Sequence, residues 1–256
     1  MPSPLPPPTR RLQQLTLAAA LFCASWQAGA TTHAALKRSF KVAPSADLAY
    51  SIRVRQSGIS LNGDAQLAWR SSADKFSIDT ATHAVFFGKI TESRSSGSID
   101  SFGLAPERFV EKRFRKDPTH TTFNRRANTI SFSASDENYP LLGGEQDRNS
   151  VIWQLVAVAR ANAPAFTPNS TWEFFVAGPR DAESWSFRVI GEETIRSPLG
   201  EQRSVHIRRA APPDAKGQQL DIWLAPALEW YPLRLHFSDG DGDSIEQTLE
   251  KISKPG

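Results

Sequence analysis

Cysteine is nearly absent from this 256-residue chain, and the single one, Cys23, lies in an apolar stretch close to the N-terminus. One thiol can neither close an intrachain disulfide nor build a thiolate zinc site, so packing has to carry the fold. Long apolar runs are missing too. The most hydrophobic segment, Leu15 to Trp26, falls short of the ~20 residues that a membrane-crossing helix needs, so no transmembrane span is expected in the mature chain. Neither sign of charge dominates: 30 Lys and Arg face 27 Asp and Glu, with no Lys/Arg stripe free of interleaved acids. Nucleic acid is thereby excluded as an expected partner. His33, His83, His120, His206 and His236 occur singly, without His-x-His or His-x-x-x-His spacing, so no metal site is expected. His206 and His236 alternate with strand hydrophobes and are expected on a solvated face. No Gly-x-Ser-x-Gly elbow occurs, and Ser96-Gly97-Ser98 lacks its flanks. No catalytic residue and no cofactor are assigned, and a non-enzymatic protein is expected.

Residues 1–30 have the form of an export signal: the basic pair Arg10-Arg11, the apolar run, then Ala28-Gly29-Ala30 with the small-x-small pattern of a cleavage site. Gln13 and Gln14 do not fit a twin-arginine signal, and Phe22 before Cys23 does not fit lipoprotein processing. The expectation is therefore a Sec-type signal peptide cleaved after Ala30 and a periplasmic mature chain. Cleavage removes Cys23, two basic residues and no acidic one, leaving a net charge of about +1.

The rest reads as a linker over 31–46 and a single β domain over 47–254. Leu48, Tyr50, Ile52 and Val54 alternate with polar residues, Asn62-Gly63 predicts a hairpin turn, and Ala65, Leu67 and Trp69 share one face of the returning strand. Further strands are expected at Phe76–Thr82, Ala84–Glu92, Gly97–Leu104, Arg108–Arg115, His120–Asn124 and Thr129–Ser133. After Pro164 they resume at Thr171–Ala177, Glu183–Ile190, Glu192–Arg196, Glu201–Arg209, Gln218–Leu224, Pro232–Ser238 and Ser244–Ile252. Pro198-Leu199-Gly200 and Pro212-Pro213 mark turns. One helix stands out, Val151–Arg160, apolar on most of its circumference and therefore buried on most of it. The fold class is mainly β: a strongly curved antiparallel sheet, a half-barrel or partly open barrel, packed on one central apolar helix.

Five segments occur in an order that resembles the domain-of-unknown-function family 3108 of bacterial envelope proteins. They are Gly103-Leu104-Ala105-Pro106-Glu107-Arg108-Phe109, Gln146-Asp147-Arg148-Asn149-Ser150, Ser197-Pro198-Leu199-Gly200, Asp221-Ile222-Trp223-Leu224-Ala225-Pro226 and Tyr231-Pro232-Leu233-Arg234. Asn149 departs from the apolar residue usual there. The resemblance implies an exported β domain, similar in outline to the half-barrels that shuttle lipoproteins between membranes, and it brings no catalytic residues.

Several constellations have competing readings. Asp239-Gly240-Asp241-Gly242-Asp243 with Glu250 approaches calcium-loop spacing, but Ser244 stands where the sharp turn needs glycine, so an acidic hairpin turn is favoured. Asp147 is placed to cap the helix and Arg148 to pair with a carboxylate such as Glu145. Glu107 and Arg108, with Glu111, Lys112 and Arg113, read as an ion-pair ladder. Among the tryptophans, Trp69, Trp153, Trp223 and Trp230 are the candidate ligand-binding residues, since a sheet that fails to close on its helix leaves an apolar cleft. The leading expectation is an envelope-maintenance or binding protein holding a lipid or lipoprotein-like ligand. One alternative is an interaction module that offers sheet edges to an envelope protein partner. The other is a hydrolase of envelope polymers using Glu107 and Glu111.

Overall fold

Apolar residues at every second position from Ala46 make the first strand, and its end is set by two residues that accept left-handed backbone. A computed structural model describes residues 33–85, 88–210 and 217–255. In it β1 (Ala46–Gln56) turns through Ser57 and Gly58, with φ of 49° and 79°, into β2 (Ile59–Ser71). The turn expected at Asn62-Gly63 is therefore displaced. Gly63 lies inside β2 opposite Ile52, where an added Cβ would come 2.2 Å from the carbonyl oxygen of His83. Its missing side chain serves close backbone approach, not a turn.

The meander continues with β3 (Lys75–Ala84), β4 (Gly88–Asp100), β5 (Gly103–Arg113), β6 (Thr119–Asn124), β7 (Thr129–Phe132) and β8 (Asn138–Pro140). The short β9 (Gln146–Asp147) leads into α1 (Ser150–Ala161). The second half comprises β10 (Thr171–Ala177), β11 (Ala182–Ser197), β12 (Gly200–Arg209), β13 (Gln219–Leu224), β14 (Pro232–Ser238) and β15 (Ser244–Ser253). The expected strand Gly97–Leu104 breaks at Ser101-Phe102, where Asp100 Oδ1 accepts the Phe102 N–H and Gly103 takes φ 107°. The expected strand Ala84–Glu92 likewise straddles a turn, since Ala84 pairs with Gly88. Conversely, the two strands expected at Glu183–Ile190 and Glu192–Arg196 are one, with a register shift at Gly191.

Among the described residues all fifteen strands form one sheet, in the order β8-β7-β6-β5-β4-β3-β2-β1-β15-β14-β13-β12-β11-β10-β9. Every pairing is antiparallel except β9 with β10. Strands far apart in this order also touch. Thr121 Oγ1 on β6 donates to Gly178 O just beyond β10 at 2.7 Å, and Phe109, Phe123, Ile130 and Tyr139 pack with Phe175, Ala177 and Ala182.

The larger core lies between α1 and the face of the sheet that carries Leu48, Trp69, Ile78, Phe187, Ile207 and Leu224. Val151, Leu155, Val156, Val158 and Ala159 of the helix are buried in it. The single polar residue of the apolar run, Gln154, accepts the Leu104 N–H and donates to Phe102 O, both at 2.8 Å. Gln146 Nε2 adds a bond to Leu104 O at 2.7 Å. Residues 33–45, within the expected linker, have no regular structure but are held: Lys41 N donates to Ala157 O, and Trp69 Nε1 to Ala43 O. The expectations for residues 1–30 and for Pro212-Pro213 lie outside the described residues.

Candidate functional site

Trp153 and Trp69, singled out as cleft-lining residues, are packed in the core. Trp153 is 3% exposed and Trp69 1%; their rings stack at 4.3 Å, and Tyr231 packs edge-on to Trp153 at 5.8 Å. Trp230 and Trp172 flank Phe166 near the C-terminal end of α1, at 5.9 and 4.4 Å between ring centres. Trp223 lies on the opposite face of the sheet. It stacks on His206 at 4.4 Å and donates to Glu193 Oε1 at 2.6 Å. The four tryptophans therefore do not come together as one site.

A different set of apolar residues does. Register places Leu220 of β13 opposite Phe237 of β14, Phe237 opposite Ile245 of β15, Ile245 opposite Val54 of β1, and Val54 opposite Leu61 of β2. They form one rung across five adjacent strands, on the face that carries the core, and all five are only half-buried. Two residues deeper along the strands, Ile222 and Ile52 are buried, and so is the next pair, Leu224 and Tyr50. Arg209, opposite Leu220, extends the rung. Its guanidinium lies 3.9 Å over the Trp185 ring and donates to Glu183 Oε1 at 2.7 Å, while its Nε is buried without a hydrogen-bond partner. Val54 is one of the alternating apolar residues of the first strand, but the rung follows only from register, which sequence does not display.

Asp147 is fully buried where β9 meets the helix. Burial pushes its pKa up to about 6, against hydrogen bonds from Ser95 Oγ and from the Ser150 and Asn149 N–H groups. Arg148 is also buried and its pKa lowered, with Asp181 the foremost carboxylate opposing the shift. Glu145, the partner expected for Arg148, is engaged elsewhere: it accepts the Gly143 N–H, and His33 Nε2 lies 2.7 Å from its Oε1. The imidazole of His33 stacks on Phe175 at 3.8 Å, so this residue of the expected linker is tied into the domain. Glu107 is exposed, Arg108 reaches His120 at 3.1 Å, and Glu111 accepts from Arg113 Nε at 2.7 Å.

The solvated face expected for His206 is occupied. Its ring lies 2.6 Å from Asp221 Oδ1 and 3.0 Å from Glu193. Burial pushes the Asp221 carboxyl up, but hydrogen bonds from His206, Arg208 and Gln219 outweigh it and hold the pKa at about 2. On this same outer face a groove of about 530 Å³ crosses β2 to β5, floored by Ala68, Ala81 and Val110 and walled by Arg94, Glu92 and Lys112. The acidic segment Asp239–Asp243 is the β14–β15 turn: Asp239 Oδ1 accepts the N–H groups of Asp241 and Asp243, and Asp243 accepts from Ser57 N. No cluster of three potential metal-binding side chains is present among the described residues, nor a helix long and apolar enough to cross a membrane.

A family model described as a protein of unknown function, DUF3108, matches residues 49–250. The chain belongs to that family. In this DUF3108 chain, two of the segments carrying the resemblance join helix to sheet, through Leu104, Gln146 and Asp147. No curated protein matches the chain. Among the solved structures that are similar, three cover most of this chain. One is described as an exported protein with a YmcC-like fold from Bacteroides fragilis, with 9% identity and a TM-score of 0.35, covering 86% of this chain and 100% of that one. Another is described as an outer membrane lipoprotein-sorting protein domain from Vibrio parahaemolyticus, with 11% identity and a TM-score of 0.33 over 82% and 85%. The third is lipoprotein LppX of Mycobacterium tuberculosis, with 12% identity and a TM-score of 0.29 over 82% and 87%. No residue role carries across at such identities.

Proposed function

We propose that this DUF3108 domain is a non-enzymatic binding module of the cell envelope that holds an acyl chain against the half-buried rung Leu220, Phe237, Ile245, Val54 and Leu61. The sheet acts as a half-barrel, curved so that its β6 and β10 ends meet, and α1 fills one end of it. The mature protein is periplasmic, released from a Sec-type signal by cleavage after Ala30. The observation that carries this reading is the rung: five apolar side chains in register, on the core-facing side, beyond the residues that bury completely. Such a stripe favours an apolar occupant over water.

Native mass spectrometry of the protein purified from its own periplasm, followed by organic extraction, tests the reading. One acyl-chain species per protein, lost in Ile245→Asp, is the expected result. A clean apo mass with no uptake of added lipids overturns it.

A further inference from the structure

Three consecutive hairpin turns at one end of the sheet carry large hydrophobic residues that the fold does not cover. Ile59 follows the β1–β2 turn and is 57% exposed, Val85 enters the β3–β4 turn at 50%, and Phe114 enters the β5–β6 turn at 36%. These are three of the six exposed large hydrophobics among the described residues. Two of them are held by a neighbouring strand: Val85 N donates to Asn62 O of β2 at 3.1 Å and Phe114 N to Ile90 O of β4 at 2.8 Å. At two strand spacings between neighbouring tips, they spread over roughly 20 Å.

Charge accompanies them. Lys112 and Arg113 end β5, and the β5–β6 turn continues Phe114-Arg115-Lys116 before the acidic Asp117: four basic residues around an aromatic, a short run that goes against the expectation of no basic stripe free of interleaved acids. Arg113 is held by Glu111, whereas Lys112, Arg115 and Lys116 are exposed. Arg115 has φ 55° and its guanidinium lies 4.8 Å from the Phe114 ring, so aromatic and cation project from one tip. On the other side of the β1–β2 turn stands the acidic turn Asp239–Asp243, joined to it through Ser57 N. The rim is thus basic and apolar on one side and acidic on the other.

We propose that this rim docks the protein on an anionic lipid bilayer, with Phe114, Val85 and Ile59 entering the interface and Lys112, Arg115 and Lys116 meeting lipid phosphates. A soluble polyanion would need only the cations. Exposed apolar tips interleaved with them match a surface that is charged outside and apolar a few ångströms beneath. This docking does not rest on a carried ligand.

The test uses protein purified after export, sedimented with phosphatidylethanolamine–phosphatidylglycerol vesicles and with phosphatidylcholine vesicles. Binding to the anionic vesicles only, weakened by salt, is expected. Each of Lys112→Gln, Arg115→Gln and Lys116→Gln should weaken it about fivefold. Phe114→Ser should weaken it about tenfold. All four positions are on the surface, so unfolding temperatures should not change. With residues 1–30 removed the chain has no other cysteine, so Phe114→Cys takes a single environment-sensitive fluorophore. Its emission should shift blue on anionic vesicles, whereas the same label at Ile190→Cys on β11 should not. No binding to anionic vesicles, equal binding to both kinds, or binding without a shift at position 114 overturns the proposal. Acyl-chain carriage is read by native mass spectrometry and docking by vesicle sedimentation, so a failed ligand reading and a failed docking reading give different results.

Discussion

Trp69 and Leu61 belong to one strand and one face, yet Trp69 is 1% exposed and Leu61 is half-buried. About 26 Å of β2 separates them. The difference comes from the helix. Its twelve residues reach about 18 Å. The thirteen residues of β2 run about 43 Å. Gln154 fastens α1, and Gln146 of β9 just before it, to Leu104, and Trp153 stacks on Trp69, so the helix covers the Trp69 end and does not extend to the Leu61 end. Among the described residues, one sheet face thereby has a fully buried region under the helix and a half-buried region beyond it.

The contrast breaks most visibly at Trp153. Trp153→Ala removes the ring stacked on Trp69 and packed on Tyr231, and should cost about 3–5 kcal/mol in chemical denaturation. A loss below about 1 kcal/mol would mean that the covered end is loosely filled and that the two ends do not differ.

Asp147 sharpens the contrast through pH. Its folded pKa of about 6 lies above the ordinary 3.8, so the folded state prefers the protonated carboxyl. Stability from this group is full below pH ~4, falls as pH rises through about 6, and stays lower above, by up to about 3 kcal/mol. Asp147→Asn keeps an oxygen for the Asn149 and Ser150 N–H groups and removes the charge, so its urea midpoint should lose that slope. An unchanged slope would place the titration elsewhere.

Element types were largely legible in the sequence because alternation and the apolar run of α1 are local signals. Thr171–Ala177 and Pro232–Ser238 match the observed strands end for end. Turn placement failed where a residue had two uses. The Asn62-Gly63 pair has the composition of a turn, but Gly63 is needed where the backbones of β2 and β3 approach, and Ser57-Gly58 takes the turn. The short β8 and β9 carry too few residues for any period to show. The tryptophans misled for a related reason: an aromatic side chain fills a core as readily as it lines a cleft, and only contacts separate the two. Lys112–Lys116 was readable as a run, yet its position on a tip beside Val85 and Ile59 depends on strand pairing.

The smallest effect should come from the rung itself. Val54 and Leu61 face each other across β1 and β2, half-buried, so each has already kept part of its surface in water. Full burial of such a side chain contributes about 1.5–3 kcal/mol, and half of that bounds what truncation can remove. Val54→Ala and Leu61→Ala should therefore each cost about 1 kcal/mol or less in the ligand-free protein. They should cost more when an acyl chain is bound, because the ligand completes the burial and its binding energy adds to stability. Core-sized losses in ligand-free protein would mean that the rung is already covered, and the distinction between a holding end and a binding end would fall with it.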